Sequence, residues 1–551
     1  IGWEASATPK QVSSGRALVI QCLRESAMPA HEAVSCKACS TAVLCLGGER
    51  SAIPSLEGLR CLLALAQSLS TSKLLLLTSG ALAPTPYAAA TVTLPGAAQS
   101  AAWGFLRAMR IEQPHIRCVS VDVAAGHPVE LRASALLQLP SDEVELAQCG
   151  SVRHVVRLRR LAPIATAKGV QGVQLADALI TGGLGGLGLK SASHLAACGT
   201  ARLVLVSRSG TISHEAGKLP KEWLALQSSS TEVVTLACDV SEASASSAAW
   251  LTIGSCSGVL HAAGSLHDNI VRNMSLDHLF ASLGPKSNGA VHLGFAAAAS
   301  PLQAFVLFSS VTAAFGNVGQ ANYAAANSQL DALCRARRGS ALSASSMQLP
   351  PVMGVGLGAA TFGEGHQIAI PLAQYSECLQ ATLSPTVTRM SGGVHALLPA
   401  ALQRMLVQRH QLDALETSDT NDADEMLSAR LQTGMAADEQ RAHLETTVLQ
   451  LLEEMQSDSQ GTVSLDTPLM EAGIDSLAAT ELSSRLRSLT GVPLSPTLVF
   501  EQPTARAIST HLVQNLRGAS AAMASLPVVA HRSAGAPPRL QASNGRWPGV
   551  S

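Results

Sequence analysis

Aromatic side chains are scarce in this chain of 551 residues: phenylalanine, tryptophan and tyrosine together make up 3%, and only three residues are tyrosines. A core built mainly from large rings is excluded, so alanine-rich helices packed closely on sheets are expected. Charge is sparse as well, with 14% charged residues and a formal net charge of −1, which argues against binding nucleic acid by electrostatics. No apolar run reaches the ~18 uninterrupted residues of a membrane span. The opening "IGWEASATPK" lacks the basic-then-apolar pattern of a secretory signal. It also lacks a first Met, so a piece of a longer protein is expected, with organellar targeting left open. The twelve cysteines are scattered rather than arranged as a small disulfide framework, which points to buried thiols in a reducing, cytoplasmic compartment. No His pair at i, i+4 sits with a carboxylate and no GxSxG elbow occurs, so neither a zinc site nor a serine hydrolase is indicated.

What is present is 47% hydrophobic residues, enough for several buried cores. Over residues 17–160, strand-like "ALVIQCL", "KLLLLTSG" and "RCVSVDV" alternate with helix-like "LEGLRCLLALAQSL" and "QSAAWGFLRAMRIEQ". This is a βαβ pattern without a glycine-rich loop, hence a Rossmann-like shape with no cofactor site. From residue 176 a second series adds the loop: "ADALITGGLGGLG" runs from a strand into a helix, and "ARLVLVSRSG", "EVVTLACDV", "SGVLHAAG" and "LQAFVLFSS" supply four more strands. The expected class is α/β, with one structural and one doubly wound, cofactor-binding Rossmann-like subdomain. Between Asp413 and Asp475, fifteen acidic residues face two arginines, and "ETSDTNDADE" reads as a solvated linker. Beyond it, Leu444, Val448, Leu451 and Met455 mark one face of an amphipathic helix, the first of a small helical bundle. The last thirty or so residues read as an Ala/Pro/Ser linker.

In "TGGLGGLG", Thr181, Gly182, Gly183, Leu184, Gly186, Leu187 and Gly188 satisfy GxGxxG and TGxxxGxG together. Glycines there let the backbone approach a pyrophosphate, which the following helix N-terminus attracts. At the end of the next strand, Ser207-Arg208-Ser209 puts an arginine where a carboxylate would select NAD, so NADPH is expected. Ser310 ends the fifth strand, Tyr323 lies on the following helix, and Asn327 shares its face at i+4. A tyrosine titrates near ~10 and releases its proton more readily beside an ammonium. Lys286, in "GPKSNGA", precedes that strand and can reach the same sheet edge.

"TGGLGGLG", "VSRSG", "CDV", "HAAGSLHDN", "GPKSNGAVHL" and "FSSVTAAFGNVGQANYAAAN", in this order and spacing, resemble the ketoreductase domain of a modular type I polyketide synthase. That domain is a relative of the short-chain dehydrogenases/reductases. Asn327 after Tyr323, with the lysine earlier, is the arrangement of the synthase branch; ordinary short-chain reductases have Lys four after Tyr. The resemblance implies Tyr323 as general acid, Ser310 polarising a β-keto oxygen, Lys286 depressing the tyrosine pKa and Asn327 ordering lysine or a relay water. It also implies Asp239 and Val240 flanking adenine, with Ala262, Ala263 and Gly264 on the nicotinamide side. B-type members carry Leu-Asp-Asp where this chain has Leu266-His267-Asp268. The retained Asp268, and Phe315 in place of the A-type tryptophan, imply a B-type, D-configured product. "MQLPPVMGVG", with Gln348-Leu349-Pro350-Pro351, departs from the usual Asn-Trp-Gly-Pro-Trp lid.

"MEAGIDSLAATEL" puts Ser476 at a helix start within an acidic region, and with "LVFEQPT" following, residues 438–517 resemble an acyl carrier protein. Ser476 is the implied 4′-phosphopantetheine attachment residue. The expected organisation is 1–165 structural subdomain, 166–411 catalytic subdomain, 412–437 linker, 438–517 carrier and 518–551 linker. Implied partners are the carrier-bound β-ketoacyl chain, ketosynthase and acyltransferase domains, and a phosphopantetheinyl transferase. A reductively silent scaffold and a stand-alone reductase of small carbonyls are the alternatives.

Overall fold

The computed structural model describes residues 11–12, 15–22, 41–46, 56–68, 73–82, 94–123, 143–149, 152–155, 174–212, 219–254, 256–354, 369–383, 394–396, 437–455, 464–469, 482–483, 485–486, 490, 494 and 498–524. Two seven-stranded sheets carry the larger part of it. The first holds β1 (Gln11–Val12), β2 (Gly15–Cys22), β3 (Thr41–Leu46), β4 (Lys73–Ser79), β5 (Arg117–Val123), β6 (Glu145–Cys149) and β7 (Val152–Val155), side by side in chain order. Strands β2 to β6 are parallel, because leucine- and valine-rich runs buried on both faces suit that arrangement. With right-handed crossovers, sequential order puts α1 (Leu56–Ser68) and α2 (Leu94–Glu112) on one face. The antiparallel β6–β7 hairpin lies in a stretch that carries no clear strand alternation.

The second sheet has the order β10-β9-β8-β11-β12-β13-β14. Its strands are β8 (Asp177–Thr181), β9 (Arg202–Ser207), β10 (Glu232–Ala237), β11 (Gly258–His261), β12 (Ala304–Ser310), β13 (Ser345–Leu349) and β14 (Val394–Ala396), all parallel. Direction of winding reverses between β8 and β11, which defines the crevice where ligands of open α/β sheets bind. Helices α3 (Gly186–Ala197), α4 (Lys221–Gln227), α5 (Ala243–Ile253), α6 (Leu276–Leu283), α7 (Gly289–Ala296), α8 (Thr312–Phe315), α9 (Ala321–Gly339) and α10 (Leu372–Thr382) complete this unit.

Helix α9 joins the two halves. Its alanines Ala321, Ala325 and Ala326 share one core with Trp103, Phe105 and Leu106 of α2 and with Leu44 and Leu74 of the first sheet. Small side chains permit this: a Cβ at Gly104 would stand 2.6 Å from the carbonyl carbon of Ala324. The scarcity of rings thus reflects helices packed backbone to backbone.

In the C-terminal region, α11 (Ala437–Met455), α12 (Leu498–Glu501) and α13 (Ala505–Ala524) surround a core of Leu444, Val448, Leu452, Leu482, Leu498, Ile508 and Leu512. The expected linker from residue 518 is corrected at its start: α13 runs on to Ala524, because "GASAAMA" is rich in alanine, the best helix former. The 412–436 linker, the rest of the tail and the side chain of Met455 lie outside the described residues. No helix among the described residues is long and apolar enough to cross a membrane.

Candidate functional site at the sheet switch point

The loop from β8 into α3 is shaped by its glycines. Gly182 has φ +62°, and a Cβ there would lie 2.8 Å from the carbonyl oxygen of Ala262. A Cβ on Gly188 would run into the Gly182 carbonyl and lie 2.7 Å from Gly183 Cα, so α3 starts tight against the loop. Gly185 caps α3 without a side-chain hydrogen bond, leaving the first-turn amides free for an anion. Leu184 is buried and Leu187 packs on the same core, so the loop is anchored from beneath. At the end of β9, Arg208 and Ser209 are exposed while the Ser207 hydroxyl accepts from Gly210 N at 3.0 Å. Asp239, following β10, is held below the usual carboxylate range by the Ser241 hydroxyl at 2.6 Å, with Arg208 contributing. Val240 is buried beside it. Ala262, Ala263 and Gly264 leave β11, and a Cβ on Gly264 would meet Cε of Lys286 at 2.8 Å. That glycine makes room for the lysine.

Lys286 sits in a π-helical turn, Gly284–Asn288, fully within the protein. Its Nζ donates to the Phe308 carbonyl at 2.8 Å and stands 5.1 Å from the ring centroid of Tyr323. Burial pulls Lys286 down to about 7, with the charge of Asp331 acting the other way. Burial pushes Tyr323 up to about 12, while Asn327 beside it acts to lower it. The expected depression of the tyrosine by Lys286 is therefore not met in this arrangement: desolvation, which disfavours the charged form of each group, is the largest influence on both. Asn327 Nδ2 donates to the Tyr323 carbonyl at 2.8 Å, and its Oδ1 is buried without a partner. Ser310, buried at the end of β12, accepts from Thr312 N at 3.2 Å. Lys286, Tyr323 and Asn327 thus come together beside β12, and Ser310 ends that strand at the C-terminal edge of the second sheet.

Further residues complete the frame. His261, the one polar side chain of the buried strand β11, bridges Thr181 Oγ1 and the Lys286 carbonyl, each at 2.8 Å. The carbonyl can only accept, so Nε2 carries the proton and Nδ1 accepts from threonine. Burial keeps this ring neutral, with its pKa lowered to about 4. Asp331, two turns after Tyr323, accepts from Ser346 Oγ at 2.6 Å and from Gln348 Nε2 at 2.5 Å. The i+8 spacing on one helix face was the available signal. Gln348 of the divergent lid is thereby tied to the tyrosine helix, whereas residues 355–368 lie outside the described residues. On the rim, Asp268 Oδ2 accepts from Gln320 Nε2 at 2.7 Å, and half-buried Phe315 ends α8. Ser476 lies outside the described residues, as does the chain's one Cys-x-x-Cys pair, Cys36 and Cys39. Among the described residues no group of three or more His, Cys, Asp or Glu could hold a metal ion.

A glycine cradle at the switch point, with tyrosine, serine and lysine at the same edge, defines a Rossmann-type reductase. Residues 176–354 match the KR domain family, residues 446–512 the phosphopantetheine attachment site family, and residues 1–158 the Rossmann fold domain of the polyketide synthase extender module SpnB. Among solved structures, an A-type ketoreductase from a modular polyketide synthase is 31% identical, with a TM-score of 0.57, covering 66% of this chain and 78% of that one. The first ketoreductase of the tylosin synthase is 30% identical, with a TM-score of 0.54, covering 65% and 77%. Polyketide synthase GfsA of Streptomyces halstedii is 33% identical over 76% of this chain, and GfsB of the same organism 30% identical over 77%. The chain spans only 6% and 8% of the lengths of these two. It belongs to the ketoreductase family of modular polyketide synthases, with a phosphopantetheine-type carrier region after the reductase unit.

Proposed function

We propose that residues 166–411 reduce a carrier-bound β-ketoacyl thioester to the β-hydroxyacyl thioester with NADPH, and that residues 1–165 are their structural support. Residues 412–437 then link to a carrier, 438–517, whose Ser476 bears the 4′-phosphopantetheine arm, and the tail beyond α13 leads onward. The observation that carries the reading is the approach of Lys286 Nζ to within 5.1 Å of the Tyr323 ring at the edge where the glycine cradle opens.

The cradle fits a dinucleotide: Cβ atoms at Gly182, Gly183 and Gly188 would run into the backbone of Ala262, Ile180 and Gly182, so the glycines let the turn fold tightly, and the first amides of α3, with no side-chain cap, are left to a pyrophosphate. Thr181 to Gly188 would hold the phosphates, Ser207, Arg208 and Ser209 the 2′-phosphate, Asp239 and Val240 the adenine, and Ala262, Ala263 and Gly264 the nicotinamide. Bound there, the reduced nicotinamide supplies a hydride to the β-carbon. The other tasks fall to the chain. Tyr323, held protonated by burial, gives its Oη proton to the carbonyl oxygen, and Ser310 shares the developing negative charge as a second donor. Lys286 in its ammonium form stabilises the phenolate left behind, and Asn327, with one unpaired buried oxygen, orders the lysine or a relay water. Asp268, with Phe315 where A-type members have tryptophan, supports a B-type, D-configured alcohol.

The tether keeps the substrate at high effective concentration. Ketosynthase and acyltransferase domains and a phosphopantetheinyl transferase are the proposed partners, in the cytoplasm. The test is Tyr323→Phe against wild type, with NADPH and a β-ketoacyl thioester of N-acetylcysteamine. Turnover should be lost while NADPH binding is kept; full activity in the variant would remove Tyr323 as donor. A wild type that binds NADPH but reduces no β-keto thioester is the silent scaffold, with Gln348 locking the lid strand to Asp331.

A further inference from the structure

Glu112, the last residue of α2, belongs to the subdomain that has no nucleotide loop, yet both its carboxylate oxygens are used in the other subdomain. Oε2 accepts from Val271 N at 2.6 Å and Oε1 from Gly319 N at 2.9 Å, with the residue only 6% exposed. These two amides sit on different loops. Val271 is three residues beyond Asp268, and Gly319 immediately precedes Gln320. The loops are joined to each other by Asn269 N donating to the Gly319 carbonyl at 2.8 Å, and by the Gln320–Asp268 hydrogen bond at 2.7 Å. Neighbouring groups of the same subdomain grip the loops further. Gln67 of α1 donates to the carbonyls of Val271 and Met274 at 2.9 and 2.8 Å. Arg107 of α2, paired with Glu145, donates to the carbonyl of Ala313.

Only an acid of this length meets the geometry. Two backbone N–H groups converge on one side chain, so it must offer two acceptors; glutamine offers one acceptor and would turn an NH2 against the second donor. Losing one partner leaves a buried N–H unsatisfied, which costs more than a typical hydrogen bond contributes.

We propose that Glu112 is a positioning residue for reduction: it pins the loops carrying Asp268 and Gln320 in register before the Tyr323 helix, so that the cofactor-free subdomain sets how the ketone is presented. This rests on the reductase reading above. The test compares the full chain with Glu112→Gln, using NADPH and a β-ketoacyl N-acetylcysteamine thioester, together with amide hydrogen exchange. In the variant, kcat/KM should fall on the order of tenfold, mainly through KM, the equivalent of one lost buried hydrogen bond. The configurational purity of the alcohol should fall too, with NADPH affinity unchanged. Peptides spanning 267–274 and 316–321 should exchange faster, while the peptide spanning 181–188 should not. Faster exchange with unchanged KM and product configuration would reduce Glu112 to a structural pin and overturn the proposal, as would unchanged exchange. Absence of turnover in the wild type would overturn the reductase reading itself, a result distinct from either. Should Glu112→Gln fail to fold, Glu112→Asp, which keeps both oxygens on a shorter arm, is read by the same criteria.

Discussion

Replacing Gly104 by alanine strikes the contact through which the first subdomain holds the second. On α2, Gly104 faces Ala324, the residue after Tyr323. An added Cβ would stand 2.6 Å from the carbonyl carbon of Ala324 and 2.8 Å from Ser328 Cβ, where ordinary contact is 3.4–4 Å. The obstacle is helix backbone, which cannot swing aside as a flexible side-chain end can. The Ala324 carbonyl oxygen is closer still, so the helices must part by at least roughly 0.8 Å (3.4 minus 2.6) to restore contact. Overpacking of this kind costs ~1–3 kcal/mol. For a unit of this size each kcal/mol lowers Tm by about 2–4 °C, so a fall of about 2–12 °C is expected by differential scanning fluorimetry. Because the displaced helix carries Tyr323, kcat/KM should fall as well, while NADPH affinity, assigned above to the proposed glycine cradle, should hold. A Tm within about 1 °C of wild type together with unchanged turnover would refute the close packing of α2 on α9.

Burial pulls Lys286 down to about 7, so its ammonium prevails below that pH and is lost as pH rises through it. A pH profile of kcat/KM should accordingly fall above about 7, with no second limb from Tyr323, which titrates near 12; Lys286→Met should abolish the limb. Arg208→Ala should cut the preference for NADPH over NADH by about tenfold to a hundredfold, the worth of one charge-assisted hydrogen bond, with kcat for NADH little changed. Glu145 is held down to about 2 by Arg107 and Arg110, at 2.7 and 2.6 Å. Its folded pKa lies below the ordinary value of 4.5, so it contributes stability above that pH and loses it as pH falls toward 2. Glu145→Gln, which strands two arginines, should destabilise by ~3–5 kcal/mol at neutral pH, read by denaturant titration.

The strands and helices around the glycine loop were legible because each has a local cause: a buried apolar run, a breaker, or a glycine where backbones meet. The places of Arg208, Tyr323 and Asn327 on those elements, though not their roles, were legible from their offsets. Glu112 and Asp331 were not, and His261, though it opens the HAAG stretch, showed no role, since each matters through partners far along the chain: Glu112 through Val271 and Gly319, His261 through Thr181 and Lys286, Asp331 through Ser346 and Gln348. A single polar residue within an apolar segment marks such a site, but its partners are set by topology. The opposing pulls on Lys286 and Tyr323 were hidden for the same reason, because offsets along a chain say nothing of burial. The tail of α13 misled in the other direction, its alanines reading as linker composition while favouring helix.

The central claim is that this chain reduces a β-ketoacyl group held on its own carrier. The most direct measurement loads an acetoacetyl-phosphopantetheine group with a phosphopantetheinyl transferase, adds NADPH, and follows the carrier peptide by mass spectrometry. Loading at Ser476, absent in Ser476→Ala, is expected, followed by a gain of two hydrogens that Tyr323→Phe prevents. A loaded carrier whose mass stays unchanged in the wild type would contradict it.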